Sequence, residues 1–276
     1  MHERLRKGLY HTLLWIVSIV FFLPVLWIIL ASFKTKDQLL SIPPVWFFTP
    51  TVDNFVDLFT RPNIVRYLMN SLIISVSAVA IALVVAFLAA YVFSRYRPGG
   101  TDLMMFLLLS IRMVPAAASV VPVFLMYVAF GWKDSWPGMI LFYAMFSIPF
   151  SVWILKGFVD GVSPRFDETG LINGASHFHV LFKVILPQVK PGLIAAFIFN
   201  MVFVWNEFLF NYIVGGKRTT MVPVALATWM YEQAGMDWTF VATMTVVYMM
   251  PPIAAIFFFQ KYLLIGMTFG TVRGEV

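Results

Sequence analysis

Residues 67–94 read YLMNSLIISVSAVAIALVVAFLAAYVFS, and residues 95–100 that follow read RYRPGG. The first stretch carries no Asp, Glu, Lys or Arg and exceeds the roughly 20 apolar residues needed to cross a bilayer core as a helix. The second carries two arginines, then proline and glycine, which end a helix. Basic turns of this kind stay on the cytoplasmic side. Working outward, comparable apolar runs lie at about 9–32, 103–130, 138–159, 192–213 and 240–265. The expected fold is all-α and polytopic, with six transmembrane helices in one domain over 1–276. Composition agrees: of 276 residues, 61% are hydrophobic, 17% aromatic and 12% charged. A soluble domain carries about 25% charged residues. A surplus of apolar residues this large does not fit inside one water-soluble core. A soluble enzyme, a disordered chain and a nucleic-acid binder are excluded on that ground.

The run Leu9–Ser32 follows Arg4, Arg6 and Lys7, as a signal peptide would. It is too long for a signal-peptide apolar region and has no Ala-x-Ala site, so it is read as an uncleaved first span. Six spans put both termini on one side. That side carries Arg4, Arg6, Lys7, Arg95, Arg97, Lys156, Arg165, Lys183, Lys190, Lys261 and Arg273. The other carries Lys34, Lys36, Arg61, Arg66, Lys133, Lys217 and Arg218. The richer side is expected in the cytoplasm, with both termini and the 160–191 loop. The net charge of +6 therefore reports topology first. Trp132, Trp136, Trp229 and Trp238 suit the outer interfacial belt, or packing between helices.

Pro115 and Pro122 interrupt the third run, Pro149 the fourth and Pro251-Pro252 the sixth, as tolerated kinks or as hinges of a pathway. Arg112 in the third run and Glu207 in the fifth are ionisable at membrane depth. A charge at the bilayer centre costs at least about 2.5–3.5 kcal/mol, so such groups face a bundle interior, a cavity or a partner. The other reading is an arginine that snorkels and a glutamate just past a helix end. Asn200, Asn206 and Asn211 add amides to the fifth run. Asn200 and Asn211 are close to three turns apart, which puts them on one helix face. These five residues are the candidate lining of a translocation pathway.

No engine is visible in the chain. Asn211 stands where a phosphate loop ending at Gly216-Lys217 would need its first glycine, and no Gly-x-Gly occurs. There is no cysteine. The pair His177-x-His179 lacks the further ligands zinc wants nearby, so no metal site is expected. Uphill transport would draw on an ion gradient or on a partner subunit.

The 160–191 loop is the informative part. Ser163-Pro164 is a helix start, with Asp167 and Glu168 in the first turns, where the helix dipole favours acids. Gly174 breaks the helix, Ser176 caps a second one, and that helix is expected to end near Pro187. Leu171, Ala175, Phe178, Phe182 and Ile185 recur at helical spacing. Such an amphipathic pair buries its apolar face on the bilayer surface or in a groove of a soluble protein.

Here the chain resembles the EAA loop of ABC importer permeases. Glu168, Gly174 six residues on, and Leu186-Pro187 keep the family spacing, while Thr169 and Gly170 replace its two alanines and Val184 its isoleucine. Asn173-Gly174-Ala175-Ser176, Trp205-Asn206-Glu207-Phe208, Asn70-Ser71, Gln260-Lys261-Tyr262 and the tail Gly266-Met267-Thr268 resemble carbohydrate-type members related to the maltose importer, in particular the smaller permease. The resemblance implies a coupling helix seated on a cytoplasmic ATPase, with Asp167, Glu168, Gly170, Asn173, Gly174, Ala175, Ser176, Leu186 and Pro187 as docking residues. It implies two ATPases that bind ATP and Mg, a second homologous permease, an external solute-binding protein facing 33–66 and 214–238, and a bacterial inner membrane. It also lets the tail from Gly266 to Val276 touch the ATPase. No cofactor is then expected in this chain, and the chain is not itself an enzyme. The solute would be a sugar or sugar-like molecule, and Arg112 leaves an anionic derivative open. The rival is an ion-driven secondary carrier using Glu207 and Arg112, which leaves the loop unexplained.

Overall fold

The computed structural model describes residues 2–232 and 236–268, with side chains from 6 to 230 and from 236 to 262. The elements are α1 (His2–Ser32), α2 (Lys36–Leu40), α3 (Asp53–Thr60), α4 (Ile64–Arg95), α5 (Thr101–Ile111), α6 (Ala116–Ala129), α7 (Trp136–Asp160), α8 (Arg165–Ile172), α9 (His177–His179), a π-helical segment (Val180–Ile185), α10 (Leu186–Trp205), α11 (Leu209–Val214), α12 (Val222–Glu232) and α13 (Trp238–Thr268). No strand occurs among the described residues. Among the described residues five helices are long and apolar enough to cross a membrane, and α5 with α6 forms a bent pair that makes a sixth if it crosses as one.

The third expected span is therefore not one helix. α5 and α6 meet at 90°. Pro115 has no backbone N–H and drives Val114 out of the helical region, so the chain turns at 112–115. The other prolines do not break their helices. Pro122, Pro149 and the pair Pro251-Pro252 lie inside α6, α7 and α13. The fifth span also differs from expectation. Helical structure runs unbroken from His177 to Trp205 and stops at 206–208. Pro187 does not end it: it is the second residue of α10 and follows directly on the π-helical segment Val180–Ile185. The π-helical segment supplies the wide turn that joins α9 to α10.

The chain forms two compact units, residues 1–66 with 225–250, and residues 67–224 with 251–276. In the first, the stretch after α1 is held by polar and aromatic contacts. Asn54 Nδ2 donates to the carbonyls of Ser32 (2.9 Å) and Lys34 (2.8 Å). Lys34 is buried, donates to the Val45 carbonyl at 2.6 Å and lies over the rings of Trp27 and Phe48. Arg61 pairs with Asp237 at 3.0 Å and covers the Phe240 ring at 4.2 Å. Burial pushes the Asp237 carboxyl up, but hydrogen bonds from the Thr239 hydroxyl, the Phe240 N–H and Arg61 outweigh it and hold the group below its ordinary range. Its contribution is present at neutral pH and fades as acid protonates it.

In the second unit α4, α7 and α10 form the core. Ala78, Ala82, Ala86 and Ala90 recur every fourth residue of α4, and all are fully buried. A stripe of small side chains lets neighbouring helices approach closely. Against the lower half of α4 pack Val152, Leu155 and Val159 of α7 with Val180, Ile185 and Val189. A second cluster joins Ile74 and Val79 to Tyr127, Met139, Tyr143, Val204 and Met221. Gly192 of α10 lies on the Phe158 ring so closely that an added Cβ would sit 2.4 Å from its Cγ. Gly192→Ala is expected to destabilise the detergent-solubilised protein by about 1–3 kcal/mol, read as a lower thermal midpoint, because this contact leaves no room for a methyl group.

Candidate functional site

The most organised polar cluster lies where α4 ends. Its residues come from three places. Tyr91 and Arg95 are one turn apart on α4, Asp160 closes α7, and Asp167 opens α8. Asp167 is buried. Its carboxylate accepts from the Tyr91 hydroxyl at 2.8 Å and from Arg95 Nε at 2.9 Å. Arg95 Nη2 also donates to the Val162 carbonyl at 2.8 Å. Alongside, Ser94 Oγ donates to Asp160 at 2.6 Å, and Lys156 pairs with the same carboxylate at 2.8 Å. The planar guanidinium spans the carboxylate and a backbone carbonyl at once, which fixes α8 in both position and orientation.

On the other side of α8 the face is open. Glu168, Asn173, Gly174, Ser176 and Pro187 are exposed, and Gly170, Ala175 and Leu186 are partly covered. Ile172 is 85% exposed and Phe178 73%. These are large apolar groups, Ile172 at the end of the short α8 and Phe178 in the first turn of the run that continues into the fifth span. The helix begins at Arg165 rather than Pro164, one residue later than expected. It ends at Asn173, whose amide donates to the Thr169 carbonyl. Gly174 then takes φ +81, a conformation that favours glycine. Ser176 Oγ accepts from the His179 N–H at 3.2 Å and starts the next helical turn as expected. Gly170, which departs from the family pattern, has a local cause. An added Cβ would meet Val180 Cγ2 at 2.8 Å.

The five membrane-depth residues do not converge on one face. Because the helix stops at 206–208, Asn200 and Asn211 are on different helices. Asn200 is buried and donates to Ser151 Oγ (3.0 Å) and the Ala196 carbonyl (2.8 Å). Asn211 is buried and bridges the Thr219 carbonyl and the Met221 N–H. Asn206 donates to the Val202 carbonyl. Glu207 accepts from the N–H groups of Phe210 (2.9 Å) and Asn211 (3.2 Å) and from the Tyr143 hydroxyl. It caps α11, so Asn206, Glu207 and Asn211 hold the helix break together, while Asn200 ties α10 to α7. Arg112 differs. Its guanidinium lies 4.7 Å from the Phe203 ring centre and 5.1 Å from those of Phe146 and Phe150.

Residues 82–267 match the model of the binding-protein-dependent transport system inner membrane components. The chain belongs to that family of permeases. A probable ABC transporter permease of Sinorhizobium fredii is 30% identical over 98% of this chain and 98% of its own length. The diacetylchitobiose uptake system permease of Streptomyces coelicolor is 32% identical over 82% of this chain and 71% of its own. The fold matches a chain of a bacterial ABC transporter involved in alginate import, with a TM-score of 0.80 and 18% identity, covering 95% of this chain and 98% of that one.

The permease is thus a multi-pass inner membrane protein. The matched region takes in α8, Gly174, Arg112 and the break at 206–208. Reading the sequence missed Tyr91 and Arg95 as functional residues. The available signal was their one-turn spacing at the end of α4, next to the basic turn. The expectation for the tail concerns residues 269–276 and the side chains of 263–268, which lie outside the described residues.

Proposed function

We propose that this permease passes a sugar or sugar-like solute into the cytoplasm in an ATP-driven importer, with α8 and the Gly174 turn docked on a partner ATPase. One observation carries the reading. α8 is locked from beneath by Asp167 and Arg95 while it presents Glu168 and Ile172 outward, with Phe178 of α9 exposed beyond the Gly174 turn. Such a helix transmits force from a partner instead of yielding to it. In this reading Glu168 makes the polar contact, and Gly174 allows the partner's backbone to approach closely. ATP and Mg belong to the ATPase pair, and nucleotide closure draws the docked helices together.

The family description names dependence on a binding protein, which supports an external partner for 33–66 and 214–238. A second, homologous permease completes the pathway, and both termini lie in the cytoplasm with the basic side. Saccharide transport is supported by the relative named for diacetylchitobiose and the fold neighbour named for alginate. The ion-driven carrier gains no support from Glu207, whose oxygens are occupied by two N–H groups and a tyrosine.

The test is ATP-driven uptake in liposomes with the ATPase and second permease co-expressed. Glu168→Lys with Gly174→Asp is expected to stay in the membrane, lose ATPase association and lose uptake by more than about tenfold. Uptake that survives in this variant, or that follows an ion gradient without an ATPase, overturns the reading.

A further inference from the structure

Arg112 is the one membrane-depth candidate whose charge finds no polar partner among the described residues. It is the C-cap of α5, an 11-residue helix that starts at the basic turn. At 1.5 Å per residue that places it about 16 Å in, near the middle of a core about 30 Å thick. Phe146 and Phe150 lie midway along the 25-residue α7 and agree with that depth. Nε and Nη2 are buried without a hydrogen bond. Three rings surround the guanidinium, and those of Phe146 and Phe203 lie parallel within 10° at 5.3 Å.

Rings hold a cation in place but do not neutralise it. Charged groups at this depth pair with another charge or mark a solute pathway. Lipid phosphates lie at the surface, about half a bilayer away. Glu207, the carboxylate nearest in sequence on α10 and α11, is taken up by its own cap. The flat faces of Phe199 and Phe203, both 41% exposed, suit the apolar side of a sugar ring.

We propose that Arg112 and its phenylalanine box form a mid-membrane receptor for the acidic group of an anionic saccharide, a carboxylate or sulfonate. The proposal rests on the importer reading for the solute's route, and it names the charge of that solute. The guanidinium is prepositioned by Phe146, Phe150 and Phe203, so an incoming anion meets an oriented donor with no competing carboxylate. A neutral sugar would stack on the same rings without engaging the charge.

The chain has no cysteine, so one introduced thiol is the only one in this subunit, and labelling is read on this subunit after it is separated from its partners. The experiment places Phe203→Cys, and separately Phe199→Cys, in the permease assembled with its partners in membrane vesicles. It compares reaction with a sulfonate-bearing and a trimethylammonium-bearing methanethiosulfonate. The anionic reagent is expected to react about tenfold faster or more, relative to a free thiol, because a nearby positive charge favours it. Arg112→Gln is expected to bring that ratio to about one. Digalacturonate is expected to slow the reaction, and cellobiose is not. The proposal is overturned by a ratio that ignores Arg112→Gln, by equal protection from cellobiose, or by thiols inert to both reagents because a partner chain seals the box. Repeating the assay with Glu168→Lys and Gly174→Asp separates the two readings. That variant tests docking through uptake and leaves the charge ratio in place.

Discussion

Asp167→Ala is expected to lower ATP-driven uptake by more than about tenfold and to destabilise the solubilised permease by about 3–5 kcal/mol. The reason is the position of the carboxylate, not its place in a motif. Removing Asp167 leaves Arg95 buried, with a side chain only 10% exposed, and strands the Tyr91 hydroxyl. Breaking a buried pair on one side is far more damaging than removing both partners. The double variant Asp167→Leu with Arg95→Met should therefore recover much of the thermal midpoint. It should not recover uptake, because α8 would lose its orientation against α4. Melting temperature and uptake measured side by side check this. A double variant that transports normally would show that the lock only stabilises.

Glu207→Ala is expected to have the next largest effect on stability, about 3 kcal/mol or more. Two N–H groups and a tyrosine hydroxyl depend on that one carboxylate. Each polar group left unsatisfied costs roughly 1–3 kcal/mol. Glu207→Gln keeps a carbonyl acceptor and should be milder. The same variant tests the rival mechanism. Uptake by Glu207→Gln is expected to remain ATP-driven and indifferent to an ionophore, whereas a proton-coupled carrier would stop. Thermal midpoints and uptake with and without the ionophore distinguish the outcomes.

The spans were legible because hydropathy alone decides which helices belong in lipid. The breaks were not. Pro115 and Pro149 look alike in sequence, yet only Pro115 lies at a break, where α5 and α6 meet. Asn200 and Asn211 share a face only if the helix between them is unbroken, and of the two readings of Glu207 the structure agrees with a glutamate just past a helix end. Glu207 accepts its hydrogen bonds from residues three and four positions on, which is a cap disguised as a membrane charge. In the loop, Asp167 and Glu168 are adjacent acids, and sequence alone does not separate them as docking residues. One residue of helix is about 100° of rotation, and that turns Asp167 inward and leaves Glu168 outside. Periodicity gives the angle between the two but not its zero, which only the position of Arg95 sets.

The wide turn at Val180–Ile185 gives a different meaning to the spacing between Gly174 and Leu186-Pro187. The segment is unbroken helix from His177 onward, so a residue count along it is a screw angle. Deleting one α-helical residue ahead of that turn, at 177–179, would swing the face proposed for docking by about 100° and draw it back by about 1.5 Å, leaving every residue of that face present and aimed elsewhere. Substitutions such as Thr169 and Gly170 alter the surface of the handle. A change of length alters its thread, which makes the interval itself, more than any residue within it, the heritable dimension of this joint.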